Sequence, residues 1–433
     1  MSRIVVISSD AQVGEDLEYL SAKPNFRRFL AGGACVRNVR SIYPSVTFPA
    51  HATMLTGCYP EHHGVTSNSQ FPAFFDPVPW TWFSSFLKCE DIFHLAKAAG
   101  KTTASVLWPV TAGNPAIDYH IADYWAQDGE SEEDAFAATG SSSAVLDIIR
   151  KNVYLIDGDW RSHPQRDEFG IACARDMILE FAPDVLFVHP ANIDAVRHEK
   201  GVFGPHVDVA LDSLDRWIGM LGSALLERGV LDETDLFLVS DHGQMDVRRA
   251  IGLNVLFAEH GWLSVGEDGM VRDWRAYCLS NGMSCLVYVK DPADVAQVRR
   301  FLDDLLAEGL YGFSRIFSER EARETEHLGG EFSFVLETDG YTAFGDYATR
   351  PLVRPLDNHD YRFGRATHGY LPENGPQPML VAKGPHIRKH AVLDGSCIVD
   401  EAPTFARILG VSFPHADGTA IDGILRSVRR EGE

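Results

Sequence analysis

No stretch of this 433-residue chain approaches the roughly 20 consecutive apolar residues that a bilayer-spanning helix requires. A partnership with the membrane is therefore not expected. Met1-Ser2-Arg3 runs directly into the strand-like Ile4-Val5-Val6-Ile7 without the layout of a signal peptide, so a cytoplasmic location is expected. Cysteine is sparse: residues 35, 58, 89, 173, 278, 285 and 397 are scattered, odd in number and without a C-x-x-C pair. Neither a disulfide framework nor a thiolate metal site follows from that pattern, and reduced, mostly buried thiols are expected. Basic residues are in deficit, 39 Lys and Arg against 61 Asp and Glu, for a net charge of -22. That balance excludes a nucleic-acid polymer as partner, because backbone binding needs clustered cations that release counterions. Small anionic substrates stay open, since bound divalent cations would make a local field positive on an acidic protein. Internal repeats and extended low-complexity segments are absent as well.

What remains is a large chain, 45% hydrophobic, able to bury a substantial core. Short apolar runs at Ile4–Ser8, Thr103–Leu107, Val185–His189, Leu236–Ser240 and Met379–Ala382 read as strands. Between them lie helical patterns at Asp91–Ala99, Glu168–Phe181 and Val207–Arg228, the last with Leu211, Leu214, Ile218, Leu221 and Leu225 on one face. This alternation predicts an α/β fold, a largely parallel central sheet with helices on both faces. Two segments read as insertions. Residues 111–165, acidic and rich in small residues, predict a helix and surface loops. Residues 250–350, with strand-like Cys285–Lys290, Arg315–Ser318 and Phe332–Glu337 around a helical Ala293–Leu306, predict a small α+β cap. The catalytic body is then expected to span 1–249 and 351–433.

Polar residues gather where apolar runs end, and in an open sheet ligands collect at the carboxyl ends of strands. Asp10 follows the first run and Asp241-His242-Gly243 the fourth. Neighbouring side chains in a strand face opposite ways, so Asp241 and His242 reach one ion only in the turn beyond, where Gly243 is expected to relax the backbone. Asp194 and His198 stand four apart, the spacing of one helical face. In Tyr43-Pro44-Ser45-Val46-Thr47-Phe48-Pro49 the proline suits a first helical turn and Gly57 a C-terminal cap. Thr47 then sits at a helix N-terminus, where free N–H groups favour an anionic oxygen. Taken singly, each has a plain structural reading: Thr47 as a cap, Asp194 with His198 as an ion pair, Asp10 as a turn residue, His368 as a loop histidine. Phe71, Phe74, Phe75, Trp80 and Trp82 could stack on a base, but at this density they read first as core.

Taken together, Tyr43-Pro44-x-x-Thr47-Phe48-Pro49-x-His51 and Thr56-Gly57-x-Tyr59-Pro60-Glu61-x-His63-Gly64 resemble the nucleotide pyrophosphatase/phosphodiesterase branch of the alkaline phosphatase superfamily. The resemblance spans residues 4–68, 184–205, 236–243 and 366–410. It implies an alkaline phosphatase-like fold in which Thr47 is the nucleophile and Asn68 holds a non-bridging phosphate oxygen. It also implies two divalent metal sites, one of Asp10, Thr47, Asp241 and His242, the other of Asp194, His198 and His368. Oxygen and imidazole donors without thiolate suit zinc, with manganese or iron as alternatives.

The activity so implied is hydrolysis of a small-molecule phosphate ester, a phosphodiester or nucleotide, through a covalent Thr47 intermediate. Phosphonoacetate hydrolase, which cleaves a carbon–phosphorus bond, shares this ligand set; it is set apart by pocket lysines, for which only Lys97 and Lys101 are placed. Sulfatases and cofactor-independent phosphoglycerate mutases are disfavoured by the threonine. A catalytically inactive relative that binds nucleotide or metal is the alternative of another class. Three positions depart from the branch: Ala11 and Arg197 stand where glycine is usual, and Gly204-Pro205 comes three residues late.

Overall fold

The computed structural model describes residues 2–72, 79–156, 158–357 and 364–426. Its frame is an eight-stranded sheet of β1 (Arg3–Ser8), β2 (Ala34–Arg40), β3 (Thr103–Val106), β4 (Tyr119–Ile121), β5 (Val185–Val188), β6 (Thr234–Val239), β7 (Leu380–Lys383) and β8 (Val392–Cys397). The order is β8-β2-β7-β6-β1-β5-β3-β4, and every pair is parallel except those of β7 with β2 and β6. The largely parallel α/β sheet expected from the sequence is thus present.

Alternation along the strands divides the core in two. Val5, Ile7, Leu186, Val188, Leu236 and Leu238 face a layer containing the helices Gln165–Phe181 and Pro205–Arg228. Ile4, Val6, Val185, Phe187, Phe237 and Val239 face the layer of Thr47–Thr56, Ile92–Ala98 and Glu401–Leu409. A central strand covered on both faces has to be apolar throughout, which is why these runs do not alternate with polar residues. Leu211, Leu214, Ile218, Leu221 and Leu225 are all buried, as their helical spacing predicts. Burial of each such side chain contributes about 1.5–3 kcal/mol.

Residues 111–165 do more than the expected helix and loops. They supply edge strand β4, paired with β3, and two helices, Glu132–Ala138 and Ser143–Asn152. The 250–350 region holds a four-stranded antiparallel sheet ordered Ala276–Ser280, Ser284–Val289, Phe334–Thr338, Phe313–Ser318, with helix Val295–Glu308 packed on a core of its own. Arg249–Ile251 pairs with Thr342–Phe344, so the chain leaves and returns at neighbouring points. This cap presses on the loop after β6 and before β7: Met283 N–H donates to the His368 carbonyl at 2.8 Å. Gly369 has φ of +97°, and a Cβ there would lie 1.7 Å from the Asn281 carbonyl oxygen.

Candidate active site

Register brings the first residues together. Ser8 is paired with Val239, so Asp10 and Asp241, each two residues further on, emerge side by side. Ile7 is paired with Val188, which sets Ser8 level with His189. Three adjacent strands, β5, β1 and β6, therefore end in one place with His189, Asp10 and Asp241-His242. The turn allows Asp241 and His242 to face a common centre, as expected. The role of Gly243 differs from the expectation. Its φ is not in the left-handed range; what it provides is room, since a Cβ would lie 2.3 Å from the Pro376 carbonyl oxygen.

Thr47 opens α1 (Thr47–Thr56), with extended Val46 as the preceding cap residue and Gly57 at φ +61° closing the helix. The N–H groups at such a terminus have no intrahelical acceptor. That of Phe48 donates to Asn68 Oδ1 at 2.9 Å. Because an N–H needs an oxygen, this bond fixes the amide orientation and leaves the Asn68 NH2 as a donor on the other side. The Thr47 hydroxyl lies 3.1 Å from His242 Nε2.

Two acid–imidazole groups meet beside that hydroxyl, through His242. Asp10, Asp241 and His242 form one, Asp194, His198 and His368 the other, each with donor atoms within 4.8 Å of one another. The second pair of ligands comes from α2 (Asn192–Lys200), where four-residue spacing sets His198 Nε2 3.3 Å from Asp194 Oδ1. The His242 and His368 rings join the two groups, their centroids 4.2 Å apart. All seven side chains expected at the metal sites, Thr47 included, are thus brought together, with Asn68 beside them.

The donors suit divalent cations. Asp10 Oδ1 and Asp241 Oδ2 are buried without a hydrogen-bond donor among the described residues. His198 Nδ1 sits 2.7 Å from the Ala366 carbonyl and His242 Nδ1 3.2 Å from that of Gly243, which leaves each Nε2 directed at carboxylates. Such outer bonds orient imidazoles as metal ligands. Burial, reinforced by Asp241, holds the Asp10 carboxyl far above its ordinary range. Burial would also raise Asp194, but His198, His368 and His242 together pull it well below. Burial lowers His368 strongly, so its ring is neutral and able to donate a lone pair. A bound divalent cation would compensate the negative charge of these buried carboxylates.

The sequence reading assigned no role to His51, His189 or Gln244. Nε2 of His189 is 3.0 Å from Asp10 Oδ2, and Nδ1 of His51 lies 2.8 Å from the Thr47 carbonyl and 3.5 Å from Asp241 Oδ2. His51 and His189 also form a third acid–imidazole group with Asp241. Both rings already spend their nitrogens on protein partners, His51 on Ser8 and Thr47, His189 on Leu107 and Asp10. His189 therefore braces the Asp10 carboxylate, and His51 ties the Thr47 carbonyl to Ser8 of β1. Gln244 donates to Asp194 Oδ1 at 2.5 Å.

The three departures from the family pattern meet in one structure. Ala11 takes φ of +56° and donates its N–H to Asp241 Oδ1 at 3.1 Å. The fully buried Arg197 donates to the Ala11 carbonyl at 2.7 Å and to both Asp16 oxygens at 2.7 and 2.9 Å. Its guanidinium also stands 5.6 Å from the ring of Phe203, just before Gly204 and Pro205. Arg40 is held by Glu326 and Glu373, which ties it to partners other than a phosphate. Trp80 and Trp82 pack with Trp125, and Trp80 with Phe48, while Phe71 stacks on Tyr288 of the cap. Phe74 and Phe75 lie outside the described residues.

Residues 4–338 match the family described as type I phosphodiesterase / nucleotide pyrophosphatase. Among curated relatives, an uncharacterized pyrophosphatase/phosphodiesterase of Schizosaccharomyces pombe is 26% identical over 59% of this chain and 48% of its own length. Ectonucleotide pyrophosphatase/phosphodiesterase 1 of Saccharomyces cerevisiae is 23% identical over 62% of this chain and 36% of its own. The chain thus spans about half or less of these relatives. Murine ectonucleotide pyrophosphatase/phosphodiesterase 5 shares the fold, with a TM-score of 0.66 at 18% identity over 98% of this chain and 100% of that one. An inactive variant of it in complex with AMP gives 0.67 at 17% identity, with the same coverage. The chain belongs to the type I phosphodiesterase/nucleotide pyrophosphatase family of the alkaline phosphatase superfamily.

Proposed function

We propose that this chain hydrolyses small phosphodiesters or nucleotides with two divalent cations, zinc by the chemistry of its donors, through a phosphothreonine on Thr47. The observation that carries this reading is the Thr47 hydroxyl, at a helix N-terminus, against His242 where two acid–imidazole groups meet, and beside an Asn68 amide oriented by Phe48. Asp10, Asp241, His242 and Thr47 would hold one cation, Asp194, His198 and His368 the other. Bound there, the cations supply an acidified hydroxyl and charge stabilisation at the leaving oxygen. Thr47 attacks phosphorus in line and displaces the leaving alcohol or phosphate. The Thr47 N–H and the Asn68 NH2 receive a non-bridging oxygen. Neutral donors of this kind suit the single charge of a diester better than the double charge of a monoester. Water then attacks phosphorus from the vacated side and releases Thr47, so two inversions give net retention.

Beside Thr47, Phe48, Trp80, Trp125, Trp82 and Tyr124 pack ring against ring at 5.0–5.3 Å. The partly exposed rings of Trp80, Tyr124 and Trp125 form a wall suited to a planar leaving group such as a nucleoside base. The AMP complex of the murine relative supports that choice. The phosphonate alternative loses support: Lys97 is paired with Asp118, and Lys101 donates to the Ser2 carbonyl, at the end of β1 opposite Asp10. The test is turnover of a dinucleotide, a nucleoside triphosphate, an aryl diester, an aryl monoester and phosphonoacetate by metal-analysed wild type and Thr47→Ala. Full activity of Thr47→Ala at unchanged metal content would refute the nucleophile. A wild type inert on every substrate would favour a binding protein instead.

A further inference from the structure

The loop that presents His368 is gripped from two sides. From the nucleophile segment, the Ser45 carbonyl accepts the Gly369 N–H at 2.9 Å and the Ser45 hydroxyl donates to the Tyr370 carbonyl at 2.8 Å. From the cap, the Met283 N–H reaches the His368 carbonyl, and Glu337 Oε1 accepts twice, from the Leu371 N–H at 2.9 Å and the Asn374 amide at 3.0 Å. Both cap contacts come from one strand pair. Ser284, next to Met283, is paired with Glu337, and the Thr338 N–H donates to the Met283 carbonyl at 3.0 Å. Glu337 thus stands where the cap meets the ligand loop.

An acid in that seam has little to neutralise it. Glu337 is 1% exposed, while its cross-strand partner Arg315 is exposed and lies over the Phe317 ring at 3.9 Å. Arg40, the basic group beside the loop, is spent on Glu326 of the cap and Glu373 of the loop. Burial raises Tyr43, Tyr370 and Cys285, so these neighbours stay neutral around pH 7. Burial would raise Glu373 too, but Arg40 pulls it below its ordinary range. Burial, with Glu326 adding repulsion, lifts Glu337 itself to about 7. Both loop donors go to Oε1, so a proton on Oε2 leaves every bond of the seam in place. Loss of that proton puts an uncompensated charge there.

We propose that Glu337 is a positioning residue for His368, a carboxylic acid whose proton keeps the cap clasped on the loop that presents this ligand. With the proton in place, Leu371 and Asn374 are held and the His368 ring stays with Asp194 and His198. Opening of the seam exposes the acid to water and releases the proton, so a rise in pH through about 7 favours the open seam. Its consequence for the protein rests on the metal reading above: the cation of the Asp194, His198 and His368 group is held less tightly as Glu337 ionises. The clasp itself belongs to the metal-free fold.

The test measures amide hydrogen exchange of residues 368–374 in the metal-free full chain, corrected for intrinsic rates, at pH 6 and pH 8. Wild-type protection should fall about tenfold across that range, the effect of one pH unit beyond a titration near 7. Glu337→Gln, which keeps the acceptor and cannot ionise, should hold the pH 6 protection at both values, and Glu337→Ala should be low at both. Calorimetry with zinc then reads the ligand: affinity of the second cation should weaken about tenfold more in wild type than in Glu337→Gln between pH 6 and pH 8, a comparison that cancels the titration of the ligands themselves. Equal pH dependence in wild type and Glu337→Gln, or wild-type protection in Glu337→Ala, overturns the proposal. Where Glu337→Ala fails to fold, wild type against Glu337→Gln decides it. A chain that takes up no zinc defeats the metal reading, and the exchange measurement still judges the clasp.

Discussion

Replacing Arg197 by methionine keeps the aliphatic stem and removes the guanidinium. Asp16, 5% exposed, then retains one donor, the Val13 N–H at 3.0 Å, in place of that bond and the two bonds from Arg197. Breaking a buried ion pair from one side costs about 3–5 kcal/mol, because the remaining charge stays buried. Set against a typical total of about 5–15 kcal/mol, that is a large fraction of the fold's stability. Ala11 amplifies the effect, since a non-glycine residue in left-handed backbone costs about 1–2 kcal/mol and here depends on its carbonyl bond to Arg197. The loop carries Asp10 and the N–H that meets Asp241, so kcat should fall together with stability. Urea unfolding of the metal-loaded protein measures the loss. Arg197→Met with Asp16→Asn, which buries no unpaired charge, should recover about 2 kcal/mol or more of it. A single variant within about 1 kcal/mol of wild type, or a double variant no more stable than the single, would refute the reasoning.

Asn68→Ala should lower kcat by about 10²–10³-fold with little change in KM, the cost of one transition-state donor, in steady-state assays of a diester. Trp80→Ala should lower kcat/KM for a nucleotide by about tenfold or more, the worth of about 1–3 kcal/mol of stacking, and affect a small aryl diester less. Chelation should abolish turnover and lower the melting temperature. Zinc or manganese should restore both, with proton release on rebinding seen by calorimetry in buffers of different ionisation heat. Burial, above every neighbour, lifts Glu337 of the cap from 4.5 to about 7, against the opposing bonds from the Leu371 N–H, Tyr43 and Asn374. The folded state therefore holds this proton more tightly than the unfolded chain, and the group's penalty grows as pH rises from about 4.5 to 7. Glu337→Gln should flatten that part of the stability profile by up to about 3 kcal/mol in urea titrations between pH 4.5 and 8.

The central sheet was legible because its inner strands are buried on both faces and read as unbroken apolar runs ending in acids. Edge strand β4, Tyr119–Ile121, had no such signal. It is three residues long and owes its place to pairing with β3 and to Tyr119 stacked 4.0 Å from Phe181, contacts that only tertiary structure supplies. The acids and histidines that the fold gathers into two groups were legible by a combination of strand ends, helical spacing and family resemblance. Their braces were not. His189 was read as the last residue of an apolar run, and a side chain there is as well explained by a sheet edge as by a hydrogen bond to Asp10. Gln244 sits one past a glycine in a turn, with nothing in its neighbours to point at Asp194.

The family departures show what such gaps mean physically. Ala11 and Arg197 stand in the sequence as two separate departures from glycine. In the fold they are one exchange: a side chain at 197 reaches the backbone at 11 and holds it in the conformation that a glycine would adopt unaided. Phe203 stands over the same guanidinium, directly before Gly204 and the helix that Pro205 opens. From that conformation the Ala11 N–H meets the carboxylate of Asp241. The aromatic wall beside Thr47 and the cap that holds the His368 carbonyl both lie outside this loop.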